Sequence, residues 1–217
     1  MNRYITFAIA LICNLIATMP AQAEPPRKTV LIAKYDDSSP VPAKKMDFRT
    51  EITEEHEYYD VSGTTPEEIR HHMTKNGTKW DDGQTYDAVT TWDIRYRYDT
   101  TREGGGCYVT SAKTKIGIIF RYPRFTPQPE TPESVLNRWN TYMNNLQLHE
   151  IGHRDLAVDA AHEISENLSA MGSFSTCREA DKAVAAVAKE KLGRMKQAQK
   201  DYDANTRHGA TQGAVFP

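Results

Sequence analysis

The chain has 217 residues, 27 basic against 29 acidic side chains, and a formal charge of −2. A balance so mixed and so near neutral excludes a basic nucleic-acid-binding face as its main feature. The length is enough for one domain with a sizeable core, and no internal repeat divides it.

The first segment predicts export. Arg3 gives a short positive start, residues 5–19 are almost wholly apolar, and Ala21-Gln22-Ala23 has the small-x-small form of a signal peptidase site. The apolar run is too short and too early to span a bilayer, so residues 1–23 read as a signal peptide, with no membrane anchor after its removal and a periplasmic or secreted destination. Residues 24–49 follow as an N-terminal strand, at 28–35, with proline-bearing linker segments at 24–26 and 36–42. Residues 50–213 then form a single domain, and 214–217 a tail.

Within that domain, residues 51–62 are strand-like. Thr65-Pro66-Glu67-Glu68 is a capping box with proline at the first helical position, and Asn76-Gly77 closes the short helix it opens. His71 and His72 lie in that helix; being adjacent they face different ways, and they read as surface histidines. Trp80-Asp81-Asp82-Gly83 is a turn. After it Tyr86, Ala88, Thr90, Trp92, Ile94, Tyr96 and Tyr98 alternate with Asp87, Asp93, Arg95 and Arg97, the pattern of a half-buried antiparallel strand. Gly104-Gly105-Gly106 joins it to a second long strand at 107–122 and does not open a helix, so it reads as a hairpin turn and not a phosphate cradle.

Beyond Pro123 to Pro132 everything is helical. Thr131-Pro132-Glu133 predicts a helix start with Thr131 as N-cap. From there Val135, Trp139, Tyr142, Leu146, His149, His153, Leu156, Ala160, Ile164 and Leu168 recur every three or four residues as an apolar stripe. A second helix is expected from about Arg178, after the Gly172-Ser173 break, with a stripe of Ala180, Val184, Val187, Leu192, Met195 and Tyr202. Two such helices joined by a short loop pack as an antiparallel hairpin. The expected fold is therefore α+β: a small antiparallel β-sheet followed by an antiparallel helical hairpin, zincin-like, carrying the site described next.

On the first stripe stands His149-Glu150-Ile151-Gly152-His153. Histidines four apart share a helix face, so both imidazoles can reach one zinc ion, with Glu150 beside them as general base for a water on the metal. A lone histidine on such a stripe is more often a core residue. Two of them one turn apart with an acid between reverse those odds, because a metal offsets the burial of two polar rings. With the signal removed, Cys107 and Cys177 remain, and an even pair in an exported chain predicts one disulfide.

The run Asp82-Gly83-Gln84-Thr85-Tyr86 leading to Trp92, the Cys107-Tyr108-Val109 segment, the HEIGH motif and the stretch Asp201-Tyr202-Asp203-Ala204-Asn205-Thr206-Arg207-His208-Gly209 together resemble the bacterial proteins grouped as domain of unknown function 922. The resemblance covers residues 50–213. It implies a secreted zinc-dependent protease and brings no substrate.

The reading that follows is a zinc metallohydrolase, most simply a peptidase acting on a peptide or other amide and using one zinc ion. The rival of another class is a non-catalytic zinc-binding protein of the cell envelope; a structural protein with two core histidines is the third. For the third zinc ligand, His208 is preferred. Glu179 lies past the break near Met171, about 27 Å of helix from His153, and only a similar length of returning helix brings the chain level with the site. The chain is expected to leave that helix at 203–206, which puts His208 within reach and leaves Asp203 as runner-up. Tyr202 and Arg207 are the candidates for stabilising a transition-state oxyanion.

Overall fold

A computed structural model describes residues 5–13, 29–34, 47–80 and 83–216. The predicted cleavage site, the two linker segments and the tip of the turn at 81–82 lie outside the described residues. In chain order the elements are β1 (Ile5–Cys13), β2 (Thr29–Lys34), β3 (Asp47–Val61), α1 (Pro66–Asn76), β4 (Thr78–Lys79), β5 (Thr85–Tyr86), β6 (Ala88–Glu103), β7 (Gly106–Phe125), α2 (Glu133–Ser169), α3 (Cys177–Thr206) and a 3-10 turn (Ala210–Gln212). No helix among the described residues is long and apolar enough to cross a membrane.

The fold is α+β, with a five-stranded sheet in the order β1-β6-β7-β3-β2 and a two-stranded β4-β5 ribbon. The central hairpin follows the glycine reading: Gly104 and Gly105 take φ of 57° and 82°, the two positive values a tight primed turn between twisted strands requires. The sheet differs from expectation in being mixed. β3 runs parallel to β7, with Ile52 opposite Ile116 and Tyr59 opposite Pro123. A parallel pair needs a crossover, supplied here by α1, the small ribbon and β6, and no local signal in β3 specifies such a neighbour. The predicted first strand is β2, antiparallel to β3. Ile5–Cys13, inside the predicted signal, forms the opposite edge of the sheet in the full-length chain, antiparallel to Ala88–Tyr96.

Helix starts follow their capping chemistry. Thr65 and Glu68 form the predicted capping box of α1. Thr176 and Glu179 form another at the start of α3, so the Glu179 carboxylate is spent on the Thr176 amide at 3.1 Å, at the end of α3 away from the histidines. The predicted cap at Thr131 is displaced by one: Pro132 is the N-cap, and Thr131 Oγ1 accepts from the Gln128 amide at 2.9 Å instead.

α2 lies across β7, β6 and β3 and buries its stripe as predicted, with Ala157 fully buried and Leu156 only half so. α3 runs back along α2, as paired contacts show: Lys191 Nζ to Glu163 at 2.8 Å near one end, Gln199 Nε2 to the His153 carbonyl at 2.9 Å, and Asp203 beside His149 beyond it. Cys107 and Cys177 are disulfide-bonded, tying the start of β7 to the start of α3 as expected. At the other end of α2, Trp139 and Tyr142 pack against Phe125 and Phe216 in tilted and edge-on ring contacts. Beside them Asp87, predicted on the face away from the core, is buried between the Arg70 guanidinium and the Tyr142 hydroxyl, each 2.7 Å from Oδ2.

Candidate metal centre

His149 and His153 are fully buried between α2 and α3, one turn apart as the spacing dictates. Their Nε2 atoms lie 3.0 Å from each other, and Asp203 Oδ1 lies 3.1 Å from His153 Nε2 and 3.4 Å from His149 Nε2. These three residues form a group that could hold one metal ion. Ligand bonds of 2.0–2.1 Å around tetrahedral zinc separate the donors by about 3.3–3.4 Å, close to the spacings here.

The remaining ring nitrogens fix which atoms carry lone pairs. Gln199, fully buried, gives its Nε2 to the His153 carbonyl, so its Oε1 is the atom that faces His153 Nδ1 in a short contact. Gln212 Oε1 lies 2.7 Å from His149 Nδ1. Each Nδ1 therefore donates its proton to an amide oxygen, and each Nε2 presents a lone pair to the other and to a carboxylate. Three acceptors facing one another in a buried space call for a cation. Burial pushes the His153 pKa down, but the Asp203 hydrogen bond and the charges of Glu150 and Asp203 outweigh it and raise it.

Glu150 is also fully buried, and it joins helix to sheet. Its Oε2 accepts from the Thr90 hydroxyl of β6 at 2.6 Å, and the same hydroxyl lies 3.2 Å from the Glu150 carbonyl. Oε1 has no hydrogen-bond partner among the described residues. Burial raises the Glu150 pKa above its ordinary value, opposed by the neighbouring histidines and the Thr90 bond. A buried carboxylate oxygen with an empty bonding site beside three converging donors suits a group that exchanges a proton with a small molecule.

Gly152, inside the motif, has a packing reason. The Tyr202 ring stacks on His149 with centroids 4.8 Å apart and planes 12° apart, and it fills the space a Cβ on Gly152 would need. The Tyr202 hydroxyl accepts from Gln212 Nε2 at 3.0 Å.

The structure departs from the predicted third donor. α3 continues through Asp203 to Thr206, which puts Asp203 on the buried stripe in register with Gln199, one turn earlier. His208 lies past the helix end, 55% exposed, with Nδ1 3.6 Å from Asp203 Oδ1, and is not in the three-residue group. Arg207 is the exposed C-cap of α3. The sequence reading missed both glutamines. Gln199 was detectable as a polar residue four after Met195 on an apolar stripe; nothing local marks Gln212.

No curated protein and no solved structure matches the chain. Residues 56–209, which span the strand-to-α3 body and every residue of the cluster except Gln212, match the model of a family described as bacterial protein of unknown function (DUF922), and the chain belongs to that family.

Proposed function

We propose that the chain is an exported zinc-dependent metallohydrolase, most simply a peptidase, whose ligands are His149, His153 and Asp203. The observation that carries this reading is the convergence of three lone-pair donors, each histidine oriented by a glutamine, next to a buried carboxylate with one unpartnered oxygen. A helix bearing two ligands and a base, with the third ligand from an antiparallel neighbour, is a zincin-like arrangement. The Cys107–Cys177 disulfide supports an oxidising compartment outside the cytoplasm.

Zinc held by these residues would supply Lewis-acid polarisation of a carbonyl and bring the pKa of a water to about 7. Glu150 does the proton work. Thr90 pins Oε2, so Oε1 is the atom that accepts the proton of the attacking water and later returns it to the leaving amine. Its raised pKa moves it toward the working range of a general base. Tyr202 serves His149 by stacking. His208, exposed beside Asp203, is better placed than Arg207 to meet a substrate.

Metal analysis and peptide hydrolysis of the wild type and of Glu150→Gln, Asp203→Ala and His208→Ala test the reading. Expected are one zinc per chain in the wild type and in Glu150→Gln, with turnover lowered by about 10²–10⁴ in the latter. Zinc is expected to be lost in Asp203→Ala and retained in His208→Ala. A wild type that purifies without metal and takes up none overturns the proposal. Zinc without hydrolysis of any peptide favours the non-catalytic envelope protein.

A further inference from the structure

We propose that the C-terminal strap, residues 209–216, is a working part of the metal centre, with Gln212 as the positioning residue for His149 and Phe216 as the anchor that holds it there. The inference rests on the metal reading above and adds to it a segment beyond residue 209, where the family match ends.

The chain does not simply trail away after α3. Arg207, His208 and Gly209 take φ of 50°, 52° and 76°, three left-handed residues in succession, two of them carrying side chains that disfavour this region. The His208 amide bonds the Asp203 carbonyl at 2.8 Å, and the Gly209 amide bonds Thr206 Oγ1 at 3.1 Å. The turn sends the chain back along α2, where Gln212 meets His149.

Two further points hold the strap down. The Asn145 side-chain amide, one turn before His149 on α2, donates to the Gly213 carbonyl at 3.0 Å. It lies 2.7 Å from where a Cβ on Gly213 would stand, and Gly213 itself has φ of 78°. Phe216 is 4% exposed, wedged against Tyr142 and Trp139 at 4.9 and 5.7 Å between centroids, and its carbonyl accepts from Arg70 at 3.4 Å. Gln212 thus sits between the turn that ends α3 and these two points of attachment to α2.

What it does there follows from its two bonds. Its Oε1 accepts a hydrogen bond from His149 Nδ1–H, leaving Nε2 free as a ligand, and its Nε2 donates to the Tyr202 hydroxyl so that the phenol stays stacked on the same imidazole. Groups that orient a ligating histidine through its second nitrogen are typically worth 10–100-fold in metal affinity.

The test compares the full chain with Gln212→Leu, Gln212→Glu and Phe216→Ala by zinc titration, and by NMR of the His149 Nδ1–H in metal-free protein. Gln212→Leu is expected to bind zinc about 10–100-fold more weakly and to lose the protected Nδ1–H signal, while Gln212→Glu, which keeps an acceptor, keeps both. Phe216→Ala is expected to weaken zinc binding in the same direction. Unchanged affinity in Gln212→Leu, equal loss in the Leu and Glu variants, or an Nδ1–H signal that survives in Gln212→Leu would each overturn the assignment. A wild type that binds no zinc yet shows the Gln212-dependent Nδ1–H signal would instead overturn the metal reading, leaving the strap as a clamp on His149.

Discussion

Replacing Gly152 with alanine sets two effects of opposite sign against each other inside the motif. In an open helix interior the change gains about 0.8–1.0 kcal/mol, because glycine is the poorer helix former. At Gly152 the new methyl carbon would stand 2.8 Å from Tyr202 Cε1 and nearer still to Cζ and the hydroxyl. Ordinary carbon contacts lie at about 3.5–4.0 Å, so clearing Cζ requires the ring to retreat by more than roughly 1 Å. It cannot do so freely, being stacked on His149 and bonded to Gln212. Overpacking of this kind costs about 1–3 kcal/mol, which exceeds or cancels the helix gain and displaces a ligand's neighbour as well. Gly193, mid-helix in α3 with nothing within 4 Å of a built Cβ, is the internal control. In urea denaturation, Gly193→Ala should raise stability by up to about 1 kcal/mol. Gly152→Ala should lower it by up to about 2 kcal/mol and weaken zinc binding. Equal stabilisation by the two substitutions would refute the packing argument.

Other consequences are open to direct measurement. The full-length chain, unfolded without reductant, should titrate one thiol, Cys13, and after reduction all three. Because the bridge closes a loop across 70 positions, reduction should cost on the order of 4 kcal/mol of stability by the loop-entropy argument; an unchanged melt would contradict it. Glu51 is held below its ordinary carboxylate value by its hydrogen bond from Lys113, against the opposing effect of burial and with help from Lys115. A depressed carboxylate stabilises above its unfolded value and stops doing so as pH falls through its folded one. Glu51→Gln should therefore cost up to about 1 kcal/mol at pH 7, a difference that fades once the pH drops below the usual carboxylate range. The same difference at pH 3 and pH 7 would show the pairs to be inert.

Where local chemistry decides, the sequence reading holds. The α1 capping box, the Gly104-Gly105 turn, the alternation along β6 and the α2 stripe all depend on residues within a few positions of one another. Cys107 and Cys177 are paired as expected, since setting Cys13 aside with the predicted signal leaves one arrangement. The cap expected at Thr131 is a local miss by one residue, and the larger failures depend on tertiary neighbours. Asp203, Asn205 and Thr206 are weak helix formers, which is why that stretch reads as tail, yet α3 continues through them because Asp203 and Thr206 are buried on its inner face. The four further residues of helix, 203–206, decide whether Asp203 or His208 faces the histidines. The placement of β3 beside β7 and the return of Gln212 onto His149 join residues 63 or more positions apart, beyond any periodic signal.

β6 is an inner strand only because β1 lies along its outer side, pairing with every residue from Ala88 to Tyr96. Removal of residues 1–23 at the predicted cleavage site would turn that flank into an unpaired rim of nine residues, with Thr90 and its bond to Glu150 near one end. Rows of unmet amides and carbonyls recruit whatever extended chain reaches them, which is a liability for solubility in a crowded compartment. Maturation and exposure would then be a single event, and self-association of the processed chain should rise with its concentration while that of the intact precursor does not.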